Sequence, residues 1–120
     1  MTMTTTAARY SVVIPVYKNQ DTLLELLQVL EKMNRKLSNQ LEVVFVVDGS
    51  PDESLVILSQ ALPKASFQAQ LVSHSKNFGA FQAIRTGLTY ATGKYFTVLS
   101  ADLQEPPSLM LNFFHTLETE

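Results

Sequence analysis

Short apolar runs alternate with helical patterns along this chain, and that alternation restricts the fold more than any other feature. The runs are rich in Val, Ile, Leu and aromatic residues and too short for helices; they lie at residues 10–17, 41–47, 67–73 and 94–100. Helical patterns lie at 21–37, 51–62 and 78–91, and a further helix is expected after Pro107. Strands that alternate with helices form right-handed crossovers. The sequence therefore predicts an α/β, Rossmann-like fold: a mostly parallel sheet with helices on both faces.

Length, charge and composition set the class of protein. A chain of 120 residues suffices for one domain with a core, which we assign to residues 10–120, and we expect residues 1–9 to be a disordered N-terminus. Nine basic and eleven acidic residues are scattered along the chain, so no nucleic-acid surface is predicted. The absence of cysteine excludes disulfides, thiolate metal sites and Cys nucleophiles. No apolar run approaches the ~20 residues of a membrane span.

Several residues are predicted to mark the ends of elements. Pro15 is expected to end the first strand. Ser50 and Glu53 fit the N-cap and third position of a capping box, with a helix that begins at the intervening proline. Asn77 is a candidate cap for the next helix, and Gly93 sits where a C-terminal helix cap belongs.

Two helical segments carry apolar stripes with the spacing of an amphipathic helix, and we expect both stripes to face the sheet. The stripe of the segment 21–37 consists of Leu23, Leu26, Leu27, Leu30, Met33 and Leu37. The stripe of the segment 78–91 consists of Phe81, Ile84, Leu88 and Ala91. Both stripes are interpreted as core rather than as cofactor-binding surfaces.

The predicted strand ends are polar, and ligands of open parallel sheets bind beyond the carboxyl ends of strands. In VVDGSPDES, Asp48 and Gly49 form either a plain turn or a site where the carboxylate accepts hydrogen bonds from a base or ribose. In SKNFGAFQA, Asn77 and Gly79 either begin a helix or, with Lys76, form an anion site at a helix N-terminus. Neither a GxxxxGK[ST] nor a GxGxxG pattern is present.

The last strand, with YFTVL, opens directly into the acidic stretch SADLQEPP. Asp102 and Gln104 are two residues apart, so in an extended chain both project to one side and can offer oxygens to one hard cation. Mg2+ usually takes one or two protein ligands and completes its shell with phosphate oxygens and water. A plain surface turn is the alternative. The two histidines, His74 and His115, lack ligand spacing and are interpreted as surface or packed side chains.

Taken together, the strand ends resemble the nucleotide-sugar-binding half of family 2 glycosyltransferases with the GT-A fold. The matching stretches are SVVIPVYKNQDTL, VVDGSPDES, SKNFGAFQAIRTGL and SADLQEPP, at residues 11–23, 46–54, 75–88 and 100–107. The most similar subgroup includes dolichol-phosphate mannosyltransferases and bacterial undecaprenyl-phosphate sugar transferases. The resemblance implies metal-assisted, inverting transfer of a sugar from a nucleoside-diphosphate donor to an acceptor, with polyprenyl phosphate as the candidate acceptor.

The resemblance also implies roles for individual residues. Base and ribose would be bound by Pro15, Tyr17, Asp48, Gly49 and Ser50. The donor site would be lined further by Lys76, Asn77, Gly79, Ser100 and Ala101. Asp102 is the expected catalytic residue, because it would bind Mg2+ or Mn2+ that bridges the diphosphate, with Gln104 beside that metal.

Three positions depart from the family pattern. Val47 stands where the family often has the first of two consecutive acids before the Gly-Ser turn. Ser100 stands at the first position of the family's acid-x-acid pair, which leaves the metal one carboxylate fewer. Lys18 replaces a common Asn, and its charge can meet phosphate.

Family members continue past this point into an acceptor-binding half that carries the expected general base. The resemblance therefore implies that this chain is the donor-binding part of a longer, cytoplasmic enzyme, held at the cytoplasmic face of the membrane by downstream segments. A sheet cut after its fourth strand leaves an exposed edge, which predicts a homo-oligomer. The alternatives are a non-catalytic nucleotide-binding or assembly module and, less well matched, a receiver-type domain.

Overall fold

The computed structural model describes residues 8–103 and 107–119. Strands β1 to β4 are Tyr10–Val16, Leu41–Asp48, Gln68–His74 and Tyr95–Val98. Helices α1 to α4 are Leu23–Lys36, Ser54–Ala61, Ala80–Tyr90 and Pro107–Thr119, and a single 3-10 turn at Leu62–Lys64 follows α2. The predicted α/β order of elements is confirmed.

The strands form one parallel sheet with the order β3-β2-β1-β4. Every residue of β2 is buried, as expected for a Val-rich strand covered on both faces. The chain moves outward from β1 through β2 to β3 and then returns to place β4 on the other side of β1. The strand order therefore reverses between β1 and β4, which is where a parallel sheet opens a crevice for ligands.

Pro15 lies inside β1, so the prediction that it ends this strand is wrong. Pro15 pairs with Val46 of β2, whereas the pairing of β1 with β4 reaches only to Val13. Proline has no N–H to donate, and it is tolerated in a strand where one side has no neighbouring strand. The short β4 thus leaves the carboxyl end of β1 open on one side.

Helices cover both faces of the sheet, but unequally. The larger core packs α1, α4 and Leu58 of α2 against one face, with Phe45, Leu26 and Phe114 among its buried side chains. The smaller core packs α3 through Ala83 against Val13, Val44 and Val46 on the other face. The predicted stripe of α1 is buried or partly buried, which confirms its orientation.

Helix α3 does not bury the stripe that its sequence predicts. Ala83 and Gly87 face the sheet, while Phe81 is 78% exposed and Leu88 is 43% exposed. A Cβ atom on Gly87 would lie 2.3 Å from Cγ1 of Val13, so the helix lies too close to β1 for any side chain at this position. Small residues permit this close approach, and the large apolar residues remain outside.

Two boundary predictions also differ from the structure. Gly93 is not a helix cap: α3 ends at Tyr90 with Ala91 as its C-cap, and the Gly93 N–H donates to Ser11 Oγ at 2.8 Å. Arg9, which the sequence places in a disordered terminus, donates its N–H to the Gln40 carbonyl at 3.0 Å. The predicted disorder of residues 1–7 lies outside the described residues and stays a prediction.

Candidate functional site

A cavity of about 310 Å3 lies at the carboxyl ends of the strands, where the strand order reverses. Its walls come from the end of β1, the end of β2, the loop before α3 and the loop after β4. The lining residues are Pro15, Val16, Tyr17, Asn19, Asp48, Asn77, Gly79, Ala80, Ser100 and Ala101. The sequence predicted most of these as donor-site residues, although they come from four separate segments of the chain.

Three lining residues were not predicted: Val16, Asn19 and Ala80. Asn19 Oδ1 accepts the N–H of Tyr17 at 2.8 Å, which holds the turn after β1 in shape. The signal available in the sequence was a side-chain amide two residues after a strand-end tyrosine, a spacing typical of local turns. Val16 and Ala80 carry no polar signal, and only the fold brings them to the wall.

Asp48 forms the centre of the polar wall and is 2% exposed. His74 Nδ1 lies 2.8 Å from its Oδ1, and the N–H groups of Phe78 and Gly79 donate to Oδ1 and Oδ2 at 3.0 and 2.9 Å. Burial opposes ionisation of this carboxyl, but these hydrogen bonds outweigh it, and the pKa of Asp48 is lowered. Within the described chain Oδ2 receives only the Gly79 bond, so it can accept one more donor from a ligand.

Asn77 is not the cap of α3, contrary to prediction. Gly79 occupies that position with φ of 100°, and Asn77 Nδ2 donates instead to the Asp48 carbonyl at 3.3 Å. The loop before α3 is therefore tied to the end of β2 through both the backbone and the side chain of Asp48.

Gly49 brings two loops of the site into direct contact. Its φ is +63°, and a Cβ atom there would lie 2.2 Å from the carbonyl carbon of Lys76. Only glycine fits both the left-handed backbone and the close approach. Lys76 Nζ lies over the Phe78 ring, 5.2 Å from its centroid, and Lys76 does not line the cavity.

Ser50 staples the loop after β1 to the loop after β2 through hydrogen bonds. The prediction that Ser50 caps a helix is wrong. Its Oγ accepts the Lys18 N–H at 2.8 Å and donates to Asp52 at 2.5 Å. The Asp52 carboxylate also accepts the N–H groups of Ser54 and Gln20. Burial opposes ionisation, but these bonds outweigh it and lower the pKa of Asp52 to about 2. Helix α2 begins at Ser54, after this staple.

Asp102 is exposed beside the cavity, in the turn after β4. Ser100 Oγ donates to its Oδ1 at 2.6 Å, and the preceding Ala101 carbonyl accepts the Thr22 hydroxyl at 2.8 Å. Leu103 has φ of 62°, so the backbone is not extended at this residue. Gln104 itself lies outside the described residues.

The described residues contain no group of three or more His, Cys, Asp or Glu side chains arranged to hold a metal. Asp102, beside the cavity, stays the predicted metal ligand. Such a donor set fits Mg2+ or Mn2+ when substrate phosphates and water provide the other oxygens, and it does not fit an all-protein cage.

A larger cavity, of about 410 Å3, lies between α1 and α2. Its walls are largely aliphatic, with Leu24, Leu27 and Ile57 beside Glu31 and Lys64. It lies on the face of the sheet opposite α3 and away from the strand ends. Size alone would favour it, but the cavity at the strand ends has both the convergent polar groups and the topological position of a ligand site.

Comparison with known families identifies one match. The sequence model described as "Glycosyl transferase family 2" matches residues 11–120. Undecaprenyl-phosphate 4-deoxy-4-formamido-L-arabinose transferase of Klebsiella pneumoniae is 38% identical over 99 residues, which cover 82% of this chain and 30% of that protein. The chain thus spans about a third of the length of the curated relatives that it matches.

Solved structures share the fold. S. aureus TarS 1–349 in complex with UDP-GlcNAc aligns with 92% of this chain and 31% of its own, with a TM-score of 0.76 and 21% identity. The mannosyltransferase PcManGT from Pyrobaculum calidifontis, in complex with GDP-Man and Mn2+, aligns with 90% of this chain and 32% of its own, with a TM-score of 0.63 and 22% identity. At these identities the likeness establishes the fold, which agrees with the predicted GT-A architecture.

Proposed function

Because the chain belongs to glycosyl transferase family 2, we propose that it forms the donor-binding part of an enzyme that transfers a sugar from a nucleoside-diphosphate donor. The observation that carries this proposal is the cavity at the strand ends. It brings together Pro15, Tyr17, Asp48, Asn77, Gly79, Ser100 and Ala101, residues that the sequence resemblance assigns to the donor site and that come from four separate segments of the chain.

Base and ribose are proposed to bind between Tyr17 and Asp48. Tyr17 is 41% exposed at the mouth of the cavity and offers an aromatic face. Asp48 Oδ2 offers acceptor capacity to a base N–H or a ribose hydroxyl. The turn at Gly49 and Ser50 holds the adjoining loops together and does not line the cavity.

The diphosphate is proposed to lie toward Ser100 and Asp102, with Lys18 and Lys76, each next in sequence to a lining residue, as sources of positive charge. When bound, Mg2+ or Mn2+ supplies charge neutralisation on the departing nucleoside diphosphate. Asp102 would hold that cation, and the Ser100 hydroxyl orients the Asp102 carboxylate through its 2.6 Å bond. PcManGT, with its Mn2+, supports this assignment as a neighbour in fold.

The acceptor and the transfer step are proposals about the whole protein. The curated relative named above acts on undecaprenyl phosphate by its name, and we propose a polyprenyl phosphate acceptor here. In an inverting displacement the acceptor oxygen attacks the anomeric carbon, the nucleoside diphosphate leaves with the bonding electrons, and a general base takes any acceptor proton. We place that base beyond this chain, so the chain by itself binds donor without transferring sugar.

The cellular site is proposed to be the cytoplasm, at the cytoplasmic face of the membrane, because a polyprenyl phosphate is embedded in lipid. Among residues 8–103 and 107–119, no helix is long and apolar enough to cross a membrane.

Self-association through the outer edge of β4 is also proposed. In the described sheet β4 pairs only with β1, so its other edge presents unpaired backbone groups. Sedimentation of this chain at high concentration is expected to reveal dimers or larger species, and a clean monomer would contradict the proposal.

Isothermal titration of UDP-sugars and GDP-sugars, with Mn2+ and with EDTA, tests the donor site. We expect saturable binding that is lost with EDTA and in Asp102→Ala, and retained in the matched control Glu25→Ala on the exposed side of α1. Equal binding with EDTA would overturn the metal role of Asp102. Nucleotide binding by the whole protein without any turnover would favour the alternative of a non-catalytic module, which Val47 and Ser100 motivate.

A further inference from the structure

His74 was predicted to be an ordinary surface or packed side chain. Its contacts are more specific than that prediction implies. It ends β3, and 12% of its side chain is exposed. Both ring nitrogens are engaged: Nδ1 lies 2.8 Å from Asp48 Oδ1, and Nε2 lies 2.9 Å from Thr86 Oγ1. One side chain thus links the end of β2, the end of β3 and the middle of α3.

The chemistry of the partners determines which atoms donate. The ionised Asp48 carboxylate only accepts, so Nδ1 of His74 carries a proton and donates it. Thr86 fixes the ring from the opposite side, and the His74 and Phe78 rings pack nearly perpendicular to each other, with 5.3 Å between centroids and an angle of 88°. His74 therefore holds the Asp48 carboxylate in one orientation.

That orientation matters for the cavity because the same carboxylate holds the loop before α3. Its two oxygens accept the N–H groups of Phe78 and Gly79. Gly79 is the N-cap of α3 with φ of 100°: its carbonyl accepts the Ala83 N–H at 3.1 Å, but its own N–H is bonded to Asp48 and not within the helix. Asn77, Gly79 and Ala80 of this segment form one wall of the cavity.

We infer that His74 is a positioning residue for the donor cavity: it fixes Asp48, and Asp48 in turn fixes the Phe78–Gly79 backbone that shapes the wall. His74 does not line the cavity itself. The inference rests on the proposed function for the identity of the ligand, but its structural half concerns only the chain's own hydrogen bonds.

Two conservative variants separate the two bonds of His74. In His74→Asn the side-chain amide lies near the position of Nδ1 and can still donate to Asp48. In His74→Gln the longer amide lies near the position of Nε2 and can reach Thr86 instead. Ser73→Ala is the matched control, since Ser73 is exposed and lies next to His74 on the same strand.

The first measurement is hydrogen exchange of the Phe78 and Gly79 amides in the whole protein that contains this chain, without nucleotide. We expect His74→Ala and His74→Gln to speed this exchange about tenfold, the equivalent of one lost hydrogen bond to a charged group. His74→Asn and Ser73→Ala are expected to leave it near the parent rate. Unchanged exchange in His74→Ala would overturn the inference.

The second measurement is steady-state transfer, in which KM for the donor is expected to rise about tenfold in His74→Gln while kcat changes less than about twofold. His74→Asn is expected to restore the parent KM. Equal KM values for the Asn and Gln variants would contradict a role through Asp48. A parent protein that binds no nucleotide sugar would refute the proposed function, and the amide exchange would still decide the role of His74.

Discussion

Replacement of Glu42 by glutamine tests whether a buried carboxylate at the start of β2 stabilises this fold. Glu42 is 3% exposed. Its Oε1 accepts the Ser11 hydroxyl and the Thr92 N–H, both at 2.8 Å, and its Oε2 accepts Gln70 Nε2 at 2.9 Å and the Thr92 hydroxyl at 3.1 Å. The carboxylate thus ties β1, β2, β3 and the loop before β4 together at the amino end of the sheet.

The size of the destabilisation depends on which hydrogen-bond donors around residue 42 can rotate away from the new amide. Gln70 Nε2 also donates to the Tyr90 carbonyl at 2.7 Å, so its amide cannot flip without placing oxygen against oxygen. The amide that Glu42→Gln introduces would therefore face another donor, while the remaining oxygen keeps the Ser11 and Thr92 bonds. Loss of one charge-assisted bond with a buried donor left unpaired costs about 2 kcal/mol. Glu42→Ala, which removes every acceptor, is expected to cost about 3 to 5 kcal/mol.

The pH dependence gives an independent check. Burial opposes ionisation, but the bonds from Thr92, Ser11 and Gln70 outweigh it, and the pKa of Glu42 is lowered from 4.5. A lowered folded-state pKa contributes stability above the unfolded-state value, and that stability is lost as the pH falls through the folded-state pKa. The difference in free energy of unfolding between the parent protein and Glu42→Gln is therefore expected to be largest near neutral pH and to become smaller below pH 4.5.

Urea unfolding followed by far-UV circular dichroism measures these free energies. Glu25→Gln, on the exposed side of α1, is the control and is expected to change the free energy of unfolding by less than about 0.5 kcal/mol. A Glu42→Gln variant as stable as that control, or a difference that stays constant into acid, would refute the reasoning.

Three further predictions concern close contacts and the loop staple. Gly87→Ala should destabilise the protein by about 1 to 3 kcal/mol in urea, because its Cβ would overlap Val13, and adding Val13→Ala should recover part of that loss. Gly49→Ala should cost about 3 kcal/mol or more and lower Tm, since it combines a positive φ with a clash against the Lys76 backbone. Asp52→Asn should lose stability at neutral pH but match the parent once the pH falls through about 2, where the parent carboxyl also becomes protonated.

Much of the site was predictable because it lies at strand ends. The polar stretches after β1, β2, β3 and β4 are visible in the sequence, and a parallel sheet brings such ends to one edge. The family resemblance assigned Pro15, Tyr17, Asp48 and Ser100 to the donor site, and all four lie around one cavity. His74 could not be assigned in this way, because its importance depends on two partners, Asp48 and Thr86, that the sequence separates by 26 and 12 residues.

The sequence by itself determined the order of elements, since hydrophobic periods of two and of 3.6 residues are local properties of the chain. Only the tertiary structure decided the inward face of α3, because the distance between that helix and β1 selects Ala83 and Gly87 over the larger Phe81 and Leu88. It likewise decided that Ser50 staples two loops instead of capping α2. Which residue caps a helix, and which face of a helix is buried, depend on the groups that lie within reach of each side chain. Only the folded chain sets those distances.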